Sequence, residues 1–148
     1  MTARQKTSYR QGESMRVAHK AVAAATAAGI ALGTAVLAPG VASAASYNGA
    51  CGSGYGVVNH RDLTGGTVYL TYNNGTGLNC VVTVRNSPGA KLWMNARIAR
   101  SDDIVWTQDP GYFGTYAGPV YRSAAGVCVD WGGDIDTATV TASGTNCG

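Results

Sequence analysis

The sequence predicts an all-β domain, a small antiparallel β-sandwich or barrel held by two disulfides. Several short segments alternate apolar and polar residues, and turns rich in Gly and Asn separate them. No segment carries apolar residues at helical spacing over three turns. Thr, Val, Tyr and Asn are abundant after residue 44, and these residues favour strands and tight turns.

Residues 1–44 are predicted to be a secretory signal peptide, which leaves one domain over residues 45–148. A basic segment ends at Lys20, an apolar run occupies 21–41, and Ala-Ser-Ala follows at 42–44. This order is that of a cleaved export signal, with the cut after Ala44. A permanent membrane helix is the alternative, but Gly residues and a Pro-Gly pair interrupt the run and no charged stop follows it. No membrane association is therefore expected after cleavage.

The composition of residues 45–148 excludes several classes of protein. These residues include six basic side chains and seven aspartates, so their net charge is −1. A basic nucleic-acid binder is therefore excluded. Seven Tyr, three Trp and one Phe at so low a net charge argue against disorder. A chain of 148 residues is also too short for a multidomain enzyme.

The clearest predicted element is a β-hairpin over residues 67–85. Residues 67–72 and 79–85 alternate on either side of an Asn-Asn-Gly turn, which is a strong hairpin signal. Three residues share one face of each strand: Val68, Leu70 and Tyr72 in the first, and Cys80, Val82 and Val84 in the second.

A third strand is predicted over residues 91–98, after a turn at 86–89. Its inward face would carry Leu92, Met94, Ala96 and Ile98, and its outward face Lys91, Trp93, Asn95 and Arg97. A short helix within 96–103 is the alternative for the end of this segment. Further short strands are predicted at 55–59, 104–107, 112–117, 127–131 and 138–141.

Four cysteines in a small secreted chain predict two disulfides. Three pairings are possible, and the favoured one joins Cys51 to Cys80 and Cys128 to Cys147. It would fasten the N-terminal segment to the hairpin and the C-terminal tail to a strand. A zinc site is disfavoured because there is no C-x-x-C pair and His60 is the sole histidine after residue 44. No metal or other cofactor is expected.

The search for catalytic groups yields only weak candidates. Asp130, Asp134 and Asp136 could form a calcium loop or a carboxylate pair, but their spacing does not match an EF-hand. The favoured interpretation is a Gly-Gly turn at 132–133 flanked by solvated aspartates. His60 is expected at the surface, and no G-x-S-x-G motif is present. No catalytic residue and no enzymatic activity are therefore predicted.

Aromatic side chains are the remaining candidates for ligand binding. The candidate residues are Trp93, Tyr112, Phe113 and Tyr116, and the other two tryptophans, Trp106 and Trp131, are considered with them. They could form a stacking face for sugar rings, or they could fill the core. Trp93 is the best candidate for exposure because it alternates with apolar neighbours, whereas Trp131 is expected in the core. Arg97 and Arg100 are expected to be solvated.

Six segments together resemble the spore-associated protein A family of filamentous actinomycetes. They are Cys-Gly-Ser-Gly-Tyr at 51–55, Thr-Val-Tyr-Leu-Thr-Tyr-Asn at 67–73, Asn-Cys-Val-Val-Thr at 79–83, Tyr-Ala-Gly-Pro-Val at 116–120, Val-Cys-Val-Asp-Trp-Gly-Gly at 127–133 and Asn-Cys-Gly at 146–148. The resemblance implies a small exported protein found with aerial structures and spores, and it implies no catalytic residue or ligand. Asp130 stands where the family often has a basic residue, so no role for positive charge is expected there.

We therefore expect a secreted, non-catalytic β domain that associates with the spore or cell surface. One alternative is a carbohydrate- or cell-wall-binding module that contacts a wall or spore-surface polymer through Trp93 and residues 112–116. A second alternative is a protease inhibitor that presents the loop at 85–91. A third is a hydrolase centred on His60 or on the pair Asp130 and Asp134.

Overall fold

The computed structural model describes residues 44–148, and the predicted signal peptide lies outside the described residues except for Ala44. Over this range the chain forms nine strands and no helix. The strands are β1 (Gly56–Leu63), β2 (Gly66–Asn73), β3 (Leu78–Arg85), β4 (Leu92–Arg100), β5 (Thr107–Gln108), β6 (Gly111–Phe113), β7 (Tyr116–Ser123), β8 (Val129–Ile135) and β9 (Ala138–Thr145). Within residues 44–148 there is accordingly no helix that could cross a membrane.

The strands form two sheets in which every pairing is antiparallel, which confirms the predicted fold class. The first sheet has the order β1-β2-β3-β7. The second has the order β5-β4-β8-β9, and the short β6 pairs with the same strand β4. A core lies between the two sheets, as in a β-sandwich.

The predicted hairpin is confirmed as the β2–β3 pair, with Asn73 opposite Leu78. The side chain of Asn73 explains the turn, because its Oδ1 accepts hydrogen bonds from the amides of Gly75 at 2.9 Å and Thr76 at 3.2 Å. An Asn side chain that bonds the backbone two residues further on stabilises a reversal of the chain. The amide of Gly77 completes the turn with a bond to the Asn73 carbonyl at 2.8 Å.

The core between the sheets contains large apolar side chains from both of them. The first sheet contributes Val68, Leu70 and Val81, and the second contributes Met94, Ile98 and Trp131, all fully buried. The predicted core position of Trp131 is confirmed. Its indole N–H remains paired inside the protein, because it donates to the Thr145 hydroxyl at 2.8 Å.

The outer face of the first sheet is covered by residues 45–55, which we call the N-terminal strap. Tyr69, Val82 and Val84 point to this face and are buried beneath the strap. Cys51 of the strap is joined to Cys80 of β3, as the sequence favours. The first sheet is therefore buried on both faces, which explains why β2 and β3 are buried along almost their whole length.

The second disulfide joins Cys128, just before β8, to Cys147, just after β9. This pairing is also the one that the sequence favours, and all four cysteines are thus oxidised. Each bridge fastens one end of the domain to a sheet.

The prediction of a Gly-Gly turn at 132–133 is wrong. Both glycines lie inside strand β8, and they are buried. A Cβ on Gly133 would overlap the Thr83 hydroxyl of the first sheet and lie 2.8 Å from the Asn95 carbonyl. That hydroxyl donates to that carbonyl at 2.7 Å, so a hydrogen bond links the two sheets beside Gly133. Gly133 is required for this close approach, not for a turn.

Other predicted boundaries also need correction. The strand predicted at 104–107 is reduced to β5, and Ile104 is 94% exposed. The segment predicted at 112–117 is split by a bend into β6 and β7, and the alternative helix within 96–103 does not form because β4 continues to Arg100. Strands β1, β8 and β9 extend further along the chain than predicted.

We expect Gly133→Ala to destabilise the domain by about 1–3 kcal/mol or more, because the added methyl group separates the sheets at the Thr83–Asn95 bond. Gly56→Ala is the matched control, since it also lies in a strand but has no atom within 4 Å of an added Cβ. Urea unfolding of both variants measures the difference. Equal stability of the two variants would contradict the close approach of the sheets.

Candidate functional site

The outer surface of the second sheet carries an exposed pair of aromatic rings. Trp93 of β4 lies opposite Tyr112 of β6, and the ring centroids are 5.6 Å apart in an edge-to-face arrangement. Trp93 is 41% exposed and Tyr112 is 66% exposed. The alternation of β4 explains this, since Leu92 and Met94 turn towards the core and leave the residue between them outside.

A third exposed ring, Trp106, lies further along the same surface. Its ring centroid is 6.0 Å from the guanidinium carbon of Arg97, which shares the outer face of β4 with Trp93. Four residues of strand separate positions 93 and 97, a distance of about 13 Å. We call Trp93, Tyr112 and Trp106 the aromatic platform. Trp106 is one of the tryptophans that the sequence offered for a stacking face, although the strand predicted around it at 104–107 forms only at Thr107–Gln108.

The other two predicted ligand-binding aromatics have different positions. Phe113 is partly buried and packs against the core, so it is not part of the exposed pair of rings. Tyr116 is exposed at the start of β7 in the first sheet. A shallow groove of about 410 Å³ connects it with the platform, and its lining includes Lys91, Tyr112 and Thr115.

Arg97 lies within the platform and is fully paired, contrary to the expectation that it is solvated. Its Nη1 donates to the Asp134 carboxylate at 2.7 Å. Its Nη2 donates to the hydroxyls of Thr139 at 3.2 Å and Thr141 at 2.7 Å, and to the carbonyl of Val140 at 3.4 Å. The cation is therefore neutralised by a neighbouring carboxylate and is not available to an anionic ligand.

The pKa of Asp134 is lowered by its partners on β4 and β9. Partial burial raises the pKa, but hydrogen bonds from the Thr139 hydroxyl and the Arg97 guanidinium lower it by more, and the positive charge of Arg97 adds to this. The carboxylate therefore stays ionised at neutral pH and compensates the charge of Arg97.

Two amide side chains lie between the two parts of the platform, of which Asn95 is buried and Gln108 is exposed. Asn95 lies on the outer side of β4 between Trp93 and Arg97, and its Nδ2 is 3.5 Å from the Gln108 Oε1. Its own Oδ1 is buried and has no hydrogen-bond partner among the described residues. Gln108 is exposed. The platform thus combines aromatic faces with uncharged hydrogen-bonding groups.

The three aspartates proposed as weak metal candidates do not come together. Asp130 accepts hydrogen bonds from the Ser101 hydroxyl and the Gly144 amide, both at 2.7 Å. Asp134 is bound to Arg97, and Asp136 occupies the β8–β9 turn with a left-handed φ of 53°. Within residues 44–148 no three His, Cys, Asp or Glu side chains cluster as metal ligands would.

The loop at 85–91, proposed as an inhibitory loop, is fastened to the β6–β7 bend. The Arg85 guanidinium donates to the carbonyls of Ala90 at 2.7 Å and Gly114 at 3.1 Å. The Gly89 amide also donates to the Gly114 carbonyl at 3.0 Å. Arg85 is therefore engaged within the domain, whereas Lys91 is exposed. Protease inhibition by this loop stays a prediction.

An open cleft of about 600 Å³, which the sequence did not suggest, lies between β5 and β7. Its lining includes the ion pairs Arg100–Asp102 and Arg122–Asp103. The hydrogen bond from Arg100 lowers the pKa of Asp102 and raises that of Arg100. Because its charges are paired with each other, this cleft is a weaker candidate for a ligand site than the platform.

Comparison with curated proteins identifies the family. The chain is 50% identical over 105 residues to spore-associated protein A of Streptomyces coelicolor, across 70% of this chain and 68% of that protein.

The chain belongs to the spore-associated protein A family.

The family resemblance seen in the sequence is thereby confirmed. No protein-family model matches the chain, and no solved structure matches it. The name of the relative associates that protein with spores and states no activity or ligand. For this member of the family, any function must therefore be inferred from the residues of the structure.

We expect Asp134→Asn to destabilise the domain by about 1–3 kcal/mol at pH 7, because Arg97 loses its charged partner in a partly buried site. The native pKa of Asp134 is lowered, so its contribution is complete above the ordinary Asp value of about 3.9 and is lost as the pH falls through the native pKa. The free-energy difference between wild type and variant should therefore shrink below about pH 4.

Denaturant unfolding of both proteins across the acid range tests this expectation. Asp136→Asn serves as a control, because the Asp136 side chain is exposed, has no ion-pair partner among residues 44–148, and has a left-handed backbone conformation that Asn also adopts. A difference between wild type and Asp134→Asn that stays constant down to pH 2 would contradict the role of the carboxylate.

Proposed function

We propose that this protein is an exported, non-catalytic domain that attaches to the spore or cell surface by binding a neutral surface polysaccharide on the aromatic platform. The exposed, paired rings of Trp93 and Tyr112 carry the proposal. Large rings at fixed positions offer flat apolar faces, and a contiguous exposed apolar patch is typical of an interaction surface.

A polysaccharide fits the platform better than an apolar partner does. Sugar rings have apolar faces and hydroxyl edges, and the platform offers aromatic rings next to the exposed Gln108 amide and the hydroxyls of Thr139 and Thr141. The span of about 13 Å between Trp93 and the Arg97–Trp106 pair leaves room for more than one sugar ring. A polymer can therefore contact both parts of the platform at once.

The charge of the platform favours a neutral ligand. Arg97 is bound to Asp134 and to hydroxyl groups, so its charge is compensated within the sheet. Lys91 is the exposed cation of the adjoining groove, and a single exposed ammonium contributes little binding energy in high dielectric. The acidic polymers of a cell surface would find no cluster of free cations on this face.

Export is supported by the sequence and by the disulfides. The order of basic segment, apolar run and Ala-Ser-Ala in residues 1–44 is typical of a secretory signal. Both cysteine pairs are oxidised, and disulfides persist in proteins outside the cytoplasm. The spore-associated name of the relative agrees with a destination at the spore surface.

A non-catalytic role is supported by the way the candidate groups are used. Asp130 and Asp134 accept structural hydrogen bonds, and Asp134 is also paired with Arg97. His60 lies on the exposed strand β1 with its ring 6.0 Å from that of Tyr69. Asp130 holds the Ser101 hydroxyl, but the His60 side chain is hydrogen-bonded to neither residue, so residues 44–148 form no Ser-His-Asp triad around it.

We expect Trp93→Ala combined with Tyr112→Ala to weaken binding to washed spores by about tenfold or more, because two of the three rings of the platform are lost. The measurement is the fraction of purified protein that sediments with spores over a range of concentrations. Circular dichroism and thermal melting confirm that the variant remains folded, since both side chains lie on the surface.

Val57→Ala is the matched control, because Val57 is an exposed apolar residue on the other sheet. A neutral ligand also predicts that binding changes little between about 0.05 and about 0.5 M NaCl. Unchanged sedimentation of the double variant would contradict the role of the platform. A steep loss of binding with salt would show that the ligand is charged.

A further inference from the structure

The peptide bond between Ala44 and Ala45 joins an exposed residue to a buried one. Ala44 is exposed, whereas Ala45 is 9% exposed and belongs to the cluster beneath the N-terminal strap. The sequence places the export cleavage at the same bond, on the independent ground of the Ala-Ser-Ala motif at 42–44. The predicted cut therefore lies immediately before a buried residue of the strap.

Both backbone polar groups of Ala45 are held by side chains of the first sheet and its loop. The Ala45 nitrogen donates to the Asn86 Oδ1 at 2.9 Å, and the Ala45 carbonyl accepts a hydrogen bond from the Tyr69 hydroxyl. Asn86 is itself fixed, because its backbone N–H donates to the Gly65 carbonyl at 2.9 Å. The acceptor for the Ala45 nitrogen therefore belongs to a braced turn.

We infer that the amino group released by cleavage after Ala44 is bound by the carboxamide oxygen of Asn86, so that the cut end is part of the fold. The inference rests on the proposed export. A signal peptidase adds one water across the bond: the oxygen goes to the Ala44 carbonyl carbon, and both hydrogens go to the Ala45 nitrogen. The products are a carboxylate on the leader and an ammonium on the domain.

The new ammonium keeps the position of the former amide and becomes a stronger donor. Hydrogen bonds from a charged donor are shorter and roughly twice as strong as those between neutral groups. The nearest cation along the loop is Arg85, and its guanidinium is already bound to the carbonyls of Ala90 and Gly114. The Asn86 oxygen is thus the hydrogen-bond acceptor for the new terminus.

The binding of the terminus also orders the events of export. The strap is held from its first residue onwards, since Tyr47 packs on Tyr69 at 5.7 Å and Cys51 is bonded to β3. No slack remains between the cut bond and the folded body. A peptidase needs the residues around the bond accessible, so the cut must precede the docking of Ala45.

The experiment measures how fast the terminal amine reacts with an amine-labelling reagent. Lys91 is the sole lysine in residues 45–148 and is exposed, so its label is an internal standard within the same molecule. At about pH 7 a free α-amine reacts fast, because its pKa is about 7.7–8.0. We expect the Ala45 amine to react about tenfold more slowly, relative to Lys91, than the amine of a chain that begins at Ala44.

Two variants locate the cause of the protection. Asn86→Ala removes the acceptor and should restore fast labelling of Ala45 in protein that circular dichroism shows to be folded. Asn74→Ala removes an exposed asparagine from the β2–β3 turn and should leave the protection intact. Unfolding by reduction and urea should abolish the protection in every variant.

The outcomes separate this inference from the proposed export. A secreted protein that begins at Ala45 by mass spectrometry and shows protection dependent on Asn86 supports the inference. A terminus at Ala45 that labels as fast as the Ala44 chain overturns the capture and leaves export intact. A secreted protein that begins elsewhere overturns the site of the cut. Retention of the protein inside the cell overturns export and the inference together.

Discussion

The covalent bridge between Cys51 and Cys80 is the constraint on which the rest of the architecture depends. The first sheet is apolar on both sides, so the residues outside it need a cover that the second sheet cannot provide. The N-terminal strap is that cover, and it is too short to bury much surface of its own. Closing a loop of 29 residues stabilises a fold by about 3–4 kcal/mol, which is a large share of the about 5–15 kcal/mol available to a domain.

The two sheets differ in whether their outer face is covered, and this difference explains where a ligand site can exist. The strap covers the outer face of the first sheet, whereas the outer face of the second sheet is open to solvent. Polar and aromatic side chains on that open face are fixed by strand alternation and by cross-strand partners, as Trp93 is by Tyr112 and Arg97 by Asp134. Trp93 and Tyr112 are therefore held in place by paired strands, whereas Trp106 lies just before β5 and contacts Arg97 of the sheet.

Strand alternation and cysteine content predicted much of this structure, because both are read from single segments of the chain. They gave the β2–β3 hairpin, the inward and outward faces of β4, the exposure of Trp93 and the favoured disulfides. Gly132-Gly133 was misinterpreted, since glycines required by contact between sheets look like glycines required by a turn. The ion pair of Arg97 and the contact of Trp106 were not predicted, because their partners are distant in sequence and meet only after folding.

Thermal unfolding of the oxidised and the fully reduced protein, with titration of free thiols, tests the account most directly. With both bridges closed, the oxidised domain should show no reactive thiol, and reduction should lower its Tm by at least about 20 °C because two loop closures are lost. Several free thiols in the purified protein, or a Tm that survives complete reduction, would contradict a fold held together by its disulfides.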